Sequence, residues 1–209
     1  AIRMEVALEK TIYEFNMWNS MVRRAGKPSE ALMPKYINAI ETARLTSGVR
    51  KGDVPEIDAS RIWLELVRLL NKKEFQYDQS IYGTPEEFSE KIAYFFHASL
   101  QGTGAAPGAL FVLTAIADAG IRQAALADAQ CFTLVQLTRA LREQGTIQHV
   151  GRLFPDSLNV LSCEWGIKKP SVSLFAQSAY RFKEIGIEPD QILHVGSRVK
   201  DDLAIAKSC

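Results

Sequence analysis

Histidine and cysteine are scarce in this sequence, three of each in 209 residues. The cysteines (Cys131, Cys163, Cys209) lack metal-site spacing, so reduced thiols are expected rather than a zinc module or a disulfide scaffold. A charge of one sign is also missing: the formal net charge is +1. Lys and Arg are scattered, without the basic stripe that a phosphate backbone demands, which argues against nucleic acid as the main partner. No apolar run approaches the roughly 20 residues of a membrane span. The opening "AIRMEVALEK" has no apolar signal core, so no membrane partner is expected and a cytoplasmic place is. Apolar residues make up 47%, enough for a sizeable core.

The chain changes character near residue 100. Before that point the pattern is helical, with no strand expected. Leu8, Ile12, Phe15, Trp18 and Val22 recur at spacings of three and four, one face of a helix that stops at Gly26. Pro28 and Ser29 open a second helix with Leu32, Tyr36, Ile40 and Ala43. "IDASRIWLELVRLL" supplies a third, with Ile62, Leu66 and Leu69 on its stripe. In "TPEEFSEKIAYFFHASL", Thr84 is an N-cap, Pro85 fits the first helical position, and Glu86 and Glu87 suit the helix dipole. Phe15, Trp18, Trp63, Phe95 and Phe96 are expected to pack in a core, and His97 to be packed or at the surface rather than catalytic.

After residue 100, strand-like and helix-like segments alternate. "QGTGAAPG" reads as a linker. "ALFVLTAIADAG" is a helix closed by Gly120, and "IRQAALAD" a short strand. "FTLVQLTRALREQG" is a helix closed by Gly145, and Leu158 to Ser162 a strand. "PSVSLFAQSAYRFKEIG" is a helix with Phe175, Ala179, Phe182 and Ile185 inward, and "QILHVGS" is the next strand. This order predicts a parallel sheet with helices on its faces, and ligands bind at the carboxyl ends of such strands. The expected division is a helical region over 1–103 and an α/β region over 104–209.

Right-handed crossovers bring Ala127-Asp128, Ser162-Cys163-Glu164 and Gly196-Ser197 to one sheet edge. Asp201 and Asp202 follow the last of them. Two adjacent carboxylates need solvent, a cation or a basic side chain nearby. Asp202 as a helix cap with Asp201 in water is the plainer alternative. "GIKKPSVSLF" places Lys168 and Lys169 just before a helix opened by Pro170, with Ser171 or Ser173 supporting its first turn. A lysine there either faces solvent or balances an anion at the same edge.

Three blocks stand in order: Glu-x-Gly-x-Lys-Lys-Pro from Glu164, Gly-Ile-x-Pro from Gly186, and His-Val-Gly followed by Asp201-Asp202. Their order and spacing resemble the haloacid dehalogenase-like (HAD) hydrolase superfamily over roughly residues 104–209, with a helical cap before it. The resemblance implies a Rossmann-like parallel core and an aspartyl-phosphate mechanism on a small, phosphorylated substrate. An aspartate nucleophile attacks phosphorus, a second aspartate two residues later acts as acid and base, and Mg²⁺ and a lysine balance charge. By the same resemblance Lys169 is the catalytic lysine and Lys168 its basic neighbour at the substrate. Ala127 and Asp128 lie at the phosphoryl-binding position, and Asp202, Asp201 and Ser197 at the metal position.

Three departures accompany it. Ala127 has no hydroxyl where Ser or Thr is expected, Ser197 replaces an acid, and no Asp-x-Asp occurs in these residues. The nucleophile is expected upstream of Ala1 and a further strand beyond Cys209, so both ends read as cut. This chain alone is therefore expected to bind Mg²⁺ weakly if at all and to be inactive on phosphate esters. Two alternatives stay open: a non-catalytic binding or regulatory relative, and a metal-free carbon–halogen hydrolase.

Overall fold

The computed structural model describes residues 2–17 and 26–209. The chain is a mixed α/β protein, mostly helical, with two small sheets of two strands each among the described residues. It divides into two compact units, Ala1–Thr46 with Ile57–Thr103, and Ser47–Glu56 with Gly104–Cys209. Trp18 and Val22 of the first expected helix lie outside the described residues.

The first unit is a helical bundle. Its helices are α1 (Ile2–Glu14), α2 (Pro28–Leu45), α3 (Ala59–Asn71), the single turn α4 (Gln79–Tyr82) and α5 (Pro85–Leu100). Helix α1 ends where Asn16 takes a positive φ of 52°. Asp58 caps α3, its Oδ1 accepting the Ser60 N–H at 2.9 Å. At α5 the cap is reciprocal: Thr84 Oγ1 accepts from Glu87 N–H at 3.2 Å, and Glu87 Oε2 accepts from Thr84 N–H at 2.8 Å. Helix α3 packs on α2 and α5, and α1 packs on α2 and α5.

Between these helices Trp63 is fully buried, its ring 5.5 Å from Tyr36 and 5.4 Å from Phe96. Truncating such a side chain costs about 3–5 kcal/mol. Burial pushes the Tyr36 hydroxyl up to about 12. Phe15 packs edge-on against Phe88 and Phe95. His97 stands edge-on to Phe96, and burial lowers its pKa. Leu69, expected on the buried stripe, is 44% exposed, because Ile62, Leu66 and Leu70 form the inward face of α3 and Leu69 lies at its rim.

Strand-free helices over the whole first half are not what forms. Residues 54–55 make a short strand, β1 (Val54–Pro55), and Ser47–Glu56 packs as a strap in the second unit.

The rest of that unit runs α6 (Ala109–Asp118), β2 (Leu126–Ala127), α7 (Thr133–Arg142), β3 (Val160–Leu161), the turn α8 (Ser162–Trp165), β4 (Ile167–Lys168), α9 (Val172–Lys183) and α10 (Ala204–Ser208). Strands β2 and β3 are parallel, with Leu126 opposite Val160 and Ala127 opposite Leu161. Buried Asn159 closes the start of the pair: its Oδ1 accepts the Ala125 N–H at 3.0 Å and its Nδ2 donates to Phe154 O at 2.9 Å. Strand β1 lies antiparallel to β4, with Val54 opposite Lys168 and Pro55 opposite Ile167.

The expected third parallel strand, "QILHVGS", does not pair. Its side chains alternate as a strand's would: Ile192 and His194 are half-buried, His194 lying 5.6 Å from the Phe175 ring. Leu193 and Val195 stand 87% and 84% exposed. A strand needs a partner to satisfy its backbone, and no strand among the described residues pairs with this segment. Phe175 and Phe182 of α9 are buried as expected, but Ile185, past the helix end, is 49% exposed. Cys131, Cys163 and Cys209 form no disulfide. No helix among the described residues is long and apolar enough to cross a membrane.

Candidate functional site

The polar residues singled out in the sequence come from three places in the second unit. Asp128 follows β2 directly, Lys169 follows β4, and the segment Gly196–Asp202 ends in a wide turn before α10. In that turn Arg198 O accepts both the Asp202 N–H at 2.9 Å and the Leu203 N–H at 3.3 Å, a π-type winding over Val199–Leu203. The winding turns Asp202 inward, where it is 3% exposed, and leaves Asp201 half-exposed.

Lys169 and Asp202 meet there. The lysine ammonium lies 2.7 Å from Asp202 Oδ1, with side chains 13% and 4% exposed. Asp202 Oδ2 accepts the Arg198 N–H at 3.1 Å and faces the Arg198 Nε at 3.6 Å. Burial pushes the Asp202 carboxyl up. The Lys169 ammonium, the Arg198 N–H and the Arg198 charge outweigh it, and the pKa falls below the usual carboxylate range. Asp202 is thus an ion-pair partner rather than the cap of α10.

Asp128 anchors the same lysine through its main chain: Oδ1 accepts the Lys169 N–H at 2.8 Å. Its Oδ2 is 3.3 Å from Arg198 Nη2. The Lys169–Pro170 peptide is cis. Lys168 sits in β4, half-buried, opposite Val54. Ala127 is half-buried in β2 and brings no polar side chain, while Ser197 is exposed.

The lysine's own strand is held from outside. Ser171 Oγ accepts the Val54 N–H at 2.7 Å, and Ser173 Oγ donates to Asp53 Oδ2 at 3.1 Å. These serines were expected to support the first turn of α9, but their hydroxyls serve the strap, because antiparallel pairing of β1 with β4 carries Asp53 and Val54 past them. Fully buried Ser162 donates to Glu56 Oε2 at 2.6 Å and accepts the Ala129 N–H at 2.7 Å. The strap is thereby fastened both to the loop after β2 and to the turn after β3.

Arg198, Glu56 and the bond from Ser162 to Glu56 are what sequence reasoning missed, although Ser162 itself was expected at the sheet edge. Arg198 stands three and four residues before Asp201 and Asp202, a spacing that places charges within reach on a wound segment. Ser162 and Glu56 carry no local signal, being 106 residues apart.

The donors do not fit Mg²⁺ as they stand. Among the described residues no three of His, Cys, Asp and Glu gather closely enough to hold a metal ion. Mg²⁺ requires oxygens at about 2.0–2.1 Å in a near-octahedral shell. Both Asp202 oxygens already face cations, and Asp201 Oδ2 is 3.6 Å from Arg198 Nη1. No protein-family model matches this chain, and no curated protein matches it.

Proposed function

We propose that this chain carries a helical cap and a Rossmann-like core of the HAD type, and that the protein it serves is a hydrolase of small phosphorylated molecules. The observation that supports the reading is the meeting of Lys169 and Asp202. They are 33 positions apart in sequence, yet their charged groups lie 2.7 Å apart at the edge where β2 ends. That edge is where a parallel α/β sheet places its ligands.

In this reading Lys169 holds a carboxylate and offers positive charge to a phosphoryl group beside it. Asp128 fixes the lysine's main chain, and the strap fixes its strand. Mg²⁺, where such a site holds it, neutralises phosphoryl charge. The residues described do not form that shell, and no step is assigned to it. Nor do these residues contain an Asp-x-Asp nucleophile. The test is hydrolysis of p-nitrophenyl phosphate by the longest natural chain that contains this sequence, alongside the 209-residue chain. Turnover by the longer chain, lost in Lys169→Met and absent from the shorter one, is the expected result. No turnover by either rejects the hydrolase reading.

A second reading has its own support. Ala127 offers no hydroxyl to a phosphoryl oxygen, and the cationic groups of the site already face carboxylates. A non-catalytic relative that keeps the fold for binding accounts for both.

A further inference from the structure

Three carboxylates gather around one side chain at the site edge, and each faces a different nitrogen of it. Arg198 Nη2 lies 3.3 Å from Asp128, Nη1 3.6 Å from Asp201, and Nε 3.6 Å from Asp202. We propose that Arg198 is the resident cation of this site: its guanidinium fills the electrostatic role of a divalent ion, and the site excludes such an ion while the arginine is in place. This goes beyond the hydrolase reading and does not rest on it.

A guanidinium is planar and presents its donors in a rigid fork, so it can face three acids on three sides at once. An ion with oxygens at about 2.0–2.1 Å pulls its ligands into a much tighter cluster. These acids have the wider spacing, and no three acidic, histidine or cysteine side chains among the described residues approach a common metal position.

Arg198 binds Asp202 twice, by its main-chain N–H at 3.1 Å and by Nε at 3.6 Å, both to Oδ2. The π-type winding of Val199–Leu203 puts Asp201 and Asp202 back over the residue that precedes it. Arginine and acids are thus one wound segment, with Asp128 arriving from the loop after β2.

Asp128, Asp201 and Asp202 bring three negative charges, and Lys169 and Arg198 bring two positive ones. A divalent ion entering this set meets both cations at close range. At 4 Å the repulsion between a divalent ion and one such cation exceeds, even at the dielectric of water, the factor of ten that binding assays resolve.

The test is Mn²⁺ uptake, read by electron paramagnetic resonance of the free ion and by water-proton relaxation, with circular dichroism as a fold check. The wild-type 209-residue chain is expected to show no Mn²⁺ binding that Asp202→Asn removes. Arg198→Ala is expected to bind Mn²⁺ at least about tenfold more tightly than wild type, and the gain should vanish in Arg198→Ala/Asp202→Asn. Asp202-dependent Mn²⁺ binding by the wild type overturns the proposal. So does a folded Arg198→Ala that gains none. The wild-type arm needs only Asp202→Asn beside it, so a misfolded Arg198→Ala still leaves the proposal open to refutation. None of these readouts depends on hydrolysis, so failure of the hydrolase reading is a separate result.

Discussion

Gly196 stands so near Asp202 that a Cβ on it would lie 2.7 Å from Asp202 Cβ and 3.1 Å from its carboxyl carbon. The atom it meets is rooted on the backbone of the π-type turn, so a side chain here cannot be relieved by a rotamer change. Gly196→Ala is expected to push the turn outward, separate Asp202 from Lys169 and destabilise the second unit by about 1–3 kcal/mol. Thermal unfolding together with a crystal structure of the variant checks both halves. An unchanged midpoint would show that the close approach is slack.

The ion pair itself should be strongly coupled. Both side chains are largely removed from water, so losing one leaves the other charge uncompensated. Lys169→Met is expected to cost about 3 kcal/mol or more, and Asp202→Leu a similar amount. The double variant should recover much of the loss, because well-packed apolar pairs often replace buried ion pairs without penalty. A double-mutant cycle by urea unfolding measures the coupling. Simple additivity would place the two charges in separate environments.

Acid sensitivity follows from the Asp202 shift. Its folded pKa is depressed, so its stabilisation is present above the unfolded pKa of about 3.9 and is lost as pH falls through the folded value. Wild type should therefore lose stability across that acid range, while Asp202→Asn, less stable at pH 7, should show a flatter limb. The deficit of the variant should close as the solution becomes more acid. Melting temperatures over a pH series check it. A constant gap between the two curves would assign the wild type's acid loss to other carboxylates.

Ser162 links the loop after β2 to the strap, through the Ala129 N–H and the Glu56 carboxylate. Ser162→Ala leaves a buried N–H without its acceptor and is expected to cost about 1–3 kcal/mol. Freed from that anchor, the strap should open more often. The exposed Arg50-Lys51 turn is a trypsin target, so the variant should be nicked there faster than wild type. Equal cleavage rates would show that β1 pairing holds the strap unaided.

How much of this was readable in advance depended on whether the cause was local. Thr84 and Glu87 advertise the start of α5 because the bonds that make the cap lie within three residues. The stripe of Ile62 and Leu66 likewise fixes the buried face of α3. Leu69 misled because three- and four-residue spacing defines a stripe but not its edges. The run "QILHVGS" has a strand's alternation, and the alternation survives in which side chains turn inward. Pairing is a property of neighbours, and no pattern within seven residues supplies one. At the site, Lys169 and Asp202 were legible as candidates, while Arg198 was passed over as one more scattered base. Its role appears only once Asp128 arrives from a loop 70 positions away.

The strap also sets a timetable. Its partners come late in the chain: Glu56 waits for Ser162, 106 residues on, and Val54 for Ser171, 117 residues on. At about 5–20 residues per second, a nascent chain leaves the strap unanchored for on the order of ten seconds. Helices on both sides of it emerge first, and the segment joining α2 to α3 must stay available until β4 leaves the ribosome. Contacts over such separations slow folding. The first half of this protein is therefore made early and completed last, because ten of its residues belong to a structure not yet synthesised.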